Sequence, residues 1–86
     1  MFPGDNVRKR GQMMPLTMLS PGRRGRVIAM HGGYGLKHRL AEMGLSVGTE
    51  LLLVRFGGGP VVVEVRGTRL MLGYGMAHRI IVEPIG

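Results

Sequence analysis

Three histidines (His31, His38 and His78), five carboxylates and two serines are the groups with which this chain could do chemistry, and no cysteine joins them. A metal centre needs three or four such ligands at spacings that converge. The histidines show no metal-binding spacing with one another or with the acids, so neither a resident metal nor any other cofactor is expected. Nucleophilic catalysis would need a base beside Ser20 or Ser46, and both serines lie in turn-forming tetrapeptides with no histidine at hand. Paired-carboxylate chemistry would need two of Glu42, Glu50, Glu64 and Glu83 to meet, yet Glu50 and Glu64 read as outward positions on strands. Gly32-Gly33-Tyr34-Gly35 is rich in glycine, but no Gly-Lys-Ser/Thr follows it and no βαβ unit surrounds it, so it reads as a strand-to-helix joint and not as a phosphate cradle. No catalytic residue emerges, and the chain is not expected to be an enzyme. One pair is spaced to interact: His38 and Glu42, at i and i+4, make a surface contact worth about 0.3 kcal/mol if both lie on a helix.

The element that would position that pair runs from Gly35 to Leu45. At about 100° per residue, Leu36, Leu40 and Met43 fall on one stripe, with Arg39 beside it and His38 and Glu42 opposite. Gly44 suits the left-handed position after the last helical residue, and Leu45 is then placed against Leu40, as in a Schellman ending. The helix thus buries one face and leaves the other free. Tyr34, Lys37, His38, Arg39 and Glu42 are the expected partner-binding residues, because tyrosine and arginine on a rigid element are the side chains most enriched at binding hot spots.

The remaining elements read as strands joined by glycine-bearing turns. Leu19-Ser20-Pro21-Gly22 and Leu45-Ser46-Val47-Gly48 share a Leu-Ser-x-Gly pattern, and Gly22 and Gly48 each supply the positive φ of a type II turn. Strands are expected at 26–31, 49–56, 61–66 and 68–72, with Val61, Val63 and Val65 facing in, Leu70 and Leu72 likewise, and Gly67 making the tight bend between the last two. Gly57-Gly58-Gly59-Pro60 forms a hairpin tip without side chains to offer. Residues 73–78 read as one helical turn, and 79–83 as a closing strand that Pro84 ends. The fold class is therefore mainly β: a small SH3-like barrel of about five short strands, one helix after the first strand and a short helical turn before the last. An OB-fold has similar parts, but its helix lies between the third and fourth strands.

With 86 residues and no cysteine, the chain makes one domain that rests on packing alone. Residues 1–15, with two prolines, two glycines and the triplet Arg8-Lys9-Arg10, are expected to form a flexible basic tail, and the domain proper to cover 16–86. Uninterrupted apolar runs such as 51–54 and 61–63 fall far short of the ~20 residues that span a bilayer, and no secretory h-region follows the basic triplet, so a soluble cytoplasmic protein is the default. The net charge of +7 includes three basic groups and one acid in residues 1–16. That excess favours an anionic partner without choosing one. Only two Phe and two Tyr are present and none falls in a base-stacking motif, so nucleic acid is not the expected partner. The eight methionines divide between the tail region and core-filling positions.

Four blocks of sequence then carry a family resemblance: Leu-Ser-Pro-Gly-x-x-Gly-x-Val at 19–27, Gly-Leu-x-x-Arg-Leu-x-x-Met-Gly-Leu-x-x-Gly-Thr at 35–49, Val-x-Val-Arg-Gly-Thr-Arg-Leu-x-Leu at 63–72, and Ala-x-x-Ile-x-Val at 77–82. Together they closely resemble the FeoA family of ferrous iron transport proteins. The resemblance implies an SH3-like domain in the cytoplasm, touching the membrane only through its partner, the FeoB-type transporter with its GTPase domain. It implies a non-catalytic accessory that regulates ferrous iron uptake by protein contact. A small basic barrel that binds nucleic acid, on charge alone, and a transition-metal-binding protein are the alternatives. Self-association is left open.

Overall fold

The computed structural model describes residues 12–86, a six-stranded antiparallel sheet with two short helices. The strands are β1 (Met14–Pro15), β2 (Arg24–Met30), β3 (Glu50–Arg55), β4 (Val61–Val65), β5 (Thr68–Leu72) and β6 (Ile80–Ile85). Helix α1 (Tyr34–Glu42) follows β2, α2 (Tyr74–His78) precedes β6, and a single 3-10 turn covers Leu16–Met18. The sheet order β1-β6-β2-β3-β4-β5 sets the last strand between the first two, the arrangement of an SH3-like barrel.

Alternation in β4 explains the core directly. Val61, Val63 and Val65 are buried while Val62 and Glu64 are half-exposed on the other face. Val27, Leu51, Leu53, Leu72, Ile80 and Val82 meet them from the neighbouring strands, and Leu40 and Leu45 close the core from α1 and its exit. Two irregularities bend the sheet around this core. One lies between Val27 and Ala29 against β6, the other between Leu53 and Arg55 against β4. An extra residue in one strand bends it and strengthens its twist. The first irregularity also accounts for the run Val27-Ile28-Ala29, which looks apolar on both faces because Ile28 is the residue left without a partner in the register.

The outer face is polar. Arg26 stands opposite Glu50 on β3 and Glu83 on β6, 3.2 and 3.9 Å from their carboxylates, so one guanidinium ties three strands. Exposed cross-strand pairs of this kind contribute about 0.5 kcal/mol each.

The two Leu-Ser-x-Gly turns are one device used twice. The Arg23 N–H donates to the Ser20 carbonyl (3.0 Å) with Gly22 at φ +87°, and the Thr49 N–H donates to Ser46 (3.0 Å) with Gly48 at φ +97°. Each glycine N–H also crosses to a neighbouring strand, Gly22 to the Leu53 carbonyl and Gly48 to that of Val27, both at 2.7 Å. In the β4–β5 bend, Arg66 and Gly67 have φ of +52° and +82°, the two positive values of a type I′ turn.

Two boundaries differ from the sequence reading. The sheet begins at Met14, where β1 pairs with Ile81 and Val82, so ordered structure starts ahead of residue 16 and the count of strands is six. The rest of the expected tail, residues 1–11, lies outside the described residues. Pro84 does not end β6, which continues to Ile85. β1 covers β6 only at Ile81 and Val82, so Pro84 lies where β6 has a free edge, and a residue without an N–H is tolerated there.

Candidate functional site

Helix α1 ends as its sequence dictates. The Leu45 N–H donates to the Leu40 carbonyl and the Gly44 N–H to that of Ala41, both at 2.9 Å, with Gly44 at φ +89°. These are the two bonds of a Schellman ending. Leu40 is fully buried and Leu36 and Met43 pack partly against the core, so the buried stripe of the helix is fixed. Everything opposite it is presented to solvent.

Tyr34, Lys37, His38, Arg39 and Glu42 are all exposed, Tyr34 at 83% the most exposed large apolar side chain of the described residues. They are not independent of one another. The Tyr34 ring stacks on the His38 ring, centroids 5.9 Å apart and planes inclined by 17°, and His38 Nε2 lies 3.4 Å from Glu42. One continuous ladder thus runs along the outer face of α1, with Lys37 and Arg39 on its flanks; neither cation makes an ion pair with a described residue. The arrangement gathers an aromatic ring, an imidazole and a carboxylate along one exposed face of a single helix. It contains no nucleophile–base pair. Among the described residues no three His, Cys, Asp or Glu side chains converge as metal ligands, and no helix is long and apolar enough to cross a membrane.

The sequence reading passed over a second copy of this feature. Residues 33–40, Gly-Tyr-Gly-Leu-Lys-His-Arg-Leu, recur at 73–80 as Gly-Tyr-Gly-Met-Ala-His-Arg-Ile. The two octapeptides fold alike through the histidine, after which α1 runs on to Glu42 while Arg79 caps α2 and Ile80 opens β6. Gly33 and Gly73 are extended N-caps whose carbonyls accept from the Lys37 and Ala77 N–H groups at 3.2 and 2.9 Å. Tyr74 stacks on His78 at 5.8 Å and 13°, as Tyr34 does on His38. Leu40 and Ile80 are both buried, while Lys37 is exposed and its counterpart Ala77 is buried. Comparing the chain with itself at an offset of forty residues finds the repeat; reading each element for periodicity does not.

Phe56 adds a further ring beside Tyr74, 5.8 Å away and tilted by 33°, and the Thr17 hydroxyl lies 3.1 Å from His78 Nδ1. The Gly57–Gly59 hairpin tip is exposed and carries no side chain toward either helix.

Comparison with known proteins agrees with this architecture. A family model described as the FeoA domain matches residues 14–84. A Methanocaldococcus jannaschii protein described as Fe(2+) transport protein A is 34% identical over 71 residues, covering 83% of this chain and 87% of that one. Among solved structures, the crystal structure of an iron uptake regulatory protein (FeoA) superimposes with a TM-score of 0.80 at 31% identity, over 86% of this chain and 99% of the other. The solution structure of iron(II) transport protein A from Clostridium thermocellum gives 0.79 at 29%, over 85% of this chain and 46% of that one. A sequence match that runs from β1 into β6, and a solved FeoA structure aligned over nearly its whole length, lead to one conclusion: the chain belongs to the FeoA family.

Proposed function

We propose that this protein is a non-catalytic accessory of ferrous iron uptake that acts on the cytoplasmic side by binding a FeoB-type transporter through the outer face of α1. The family and the relative's description as an Fe(2+) transport protein supply the process. The observation that supports the mode of action is the Tyr34–His38–Glu42 ladder flanked by Lys37 and Arg39, an exposed aromatic and cationic surface on a capped helix. Such a surface regulates by occupancy: contact with one conformation of the transporter's cytoplasmic domain stabilises that conformation by the difference in affinity. Tyrosine and arginine anchors of this kind typically account for most of an interface's energy.

The test is binding to the isolated cytoplasmic domain of the transporter, measured with the parent and with a Tyr34→Ala, Arg39→Glu variant whose fold is verified by circular dichroism. The variant is expected to lose at least about tenfold in affinity. A folded variant that binds as tightly as the parent refutes this surface. Capture of the transporter from detergent-solubilised membranes, with the protein as bait, tests the partner independently.

A further inference from the structure

We infer that the contact is two-pronged: the 73–80 octapeptide forms a second anchor beside the first, and the partner meets both with one acidic protein face. The inference rests on the partner reading above and deepens it.

The two repeats are rooted at one junction. Met30 and Ile80 are opposed in the β2–β6 ladder, and the His31 N–H donates to the Arg79 carbonyl at 2.8 Å. The first octapeptide therefore begins where the second ends. Tyr34 is three positions on from His31, a reach of at most about 11 Å. Along α2, Tyr74 is four residues from His78, about 6 Å of helix. With the strand-pair spacing and the step from Arg79 to His78 added, the path keeps the two tyrosines within about 26 Å of each other, inside the span of about 30 Å that one side of an ordinary interface of roughly 800 Å² covers.

Charge chooses the partner's sign. Lys37, Arg39 and Arg79 make no ion pair with any described residue, the two octapeptides contain no acid, and the one acid of α1, Glu42, is already engaged by His38. Among the described residues, the surplus at this end of the barrel is cationic and uncommitted. Ring geometry favours protein over single-stranded nucleic acid. Tyr74 already has two ring neighbours, Phe56 and His78, each with its centroid 5.8 Å away, and these compete with a base for its faces while its edge and hydroxyl remain available to a protein. Contacted by two rings yet 55% exposed, it is an anchor of the kind interfaces use.

The experiment titrates the full-length protein against the transporter's cytoplasmic domain, using the parent, Arg39→Glu, Arg79→Glu and the double variant, with Tyr74→Ala as a further probe that leaves charge unchanged. Circular dichroism checks each fold, and Arg79→Glu stands alone if Tyr74→Ala disturbs packing. Each single reversal is expected to weaken binding about tenfold and the double more than either, with affinity falling as salt rises. If the parent binds, Arg39→Glu weakens and Arg79→Glu and Tyr74→Ala do not, the second anchor is refuted and the α1 reading stands. If the parent does not bind, the partner reading falls and this inference with it. A labelled single-stranded oligonucleotide is titrated in parallel; binding as tight as that of the domain, lost in the same variants, overturns the acidic protein face.

Discussion

Replacing Gly44 isolates one physical term. Its φ is +89°, and a Cβ built on it would meet nothing within 4 Å, so a side chain there is opposed by backbone conformation alone and not by crowding. The left-handed region costs an L-residue about 1–2 kcal/mol, and a β-branched side chain lies at the upper end or beyond. Escaping that strain would mean giving up the Gly44–Ala41 and Leu45–Leu40 hydrogen bonds, each worth about 1 kcal/mol, and displacing the fully buried Leu45. Gly44→Val is therefore expected to destabilise the domain by about 2 kcal/mol, which for a domain of this size lowers the melting temperature by roughly 8–16 °C. Gly35→Ala is the control. Gly35 lies in α1 at negative φ, is exposed, and a Cβ there also meets nothing within 4 Å. The control should stabilise by about 0.5 kcal/mol, because alanine loses less backbone entropy than glycine in a helix. Thermal melts followed by circular dichroism, with urea titrations to confirm an unchanged m-value, read both. A Gly44→Val protein as stable as the parent, or two variants that shift in the same direction, would refute this account of the helix ending.

Three further outcomes are expected. Gly25 sits buried in β2 with its missing Cβ 3.2 Å from Leu19 and 3.3 Å from Val82, so Gly25→Val should cost about 1–3 kcal/mol by overpacking, measured by urea unfolding. Deleting residues 1–11 should leave the melting temperature within about 4 °C, as their unperiodic composition suggests, whereas deletion through the fully buried Leu16 should cost about 2–3 kcal/mol. The purified protein should neither hydrolyse GTP nor hold stoichiometric iron through desalting, since the sequence has no phosphate-loop lysine and the described residues no ligand cluster.

Where the physics was local, the sequence was readable. The Leu36, Leu40, Met43 stripe, the stop at Gly44 and the two Ser-x-Gly turns each depend on residues close together in sequence, and the alternating valines of β4 state their own inside and outside. What escaped depends on distant pairing. Met14–Pro15 is a strand only because Ile81 and Val82 accept it, and Pro84 is tolerated in β6 only because β1 stops short of it. Gly25 carries no local signal at all; its role is set by Leu19 and Val82, brought together by the sheet. The candidate site divides in the same way. Exposure of Tyr34, His38 and Glu42 follows from helical spacing, whereas the nearness of the second octapeptide to the first, from which it is forty residues distant in sequence, follows from the β2–β6 register.

The most direct measurement of the central claim is ferrous iron uptake in cells. Radiolabelled ferrous iron would be followed in a strain that lacks this protein and carries either the parent or the Tyr34→Ala, Arg39→Glu variant, at matched expression and with the transporter present. The account predicts that the parent restores uptake and that the variant, though folded, does not, because the exposed face of α1 is the working surface. Full restoration by the folded variant would contradict it.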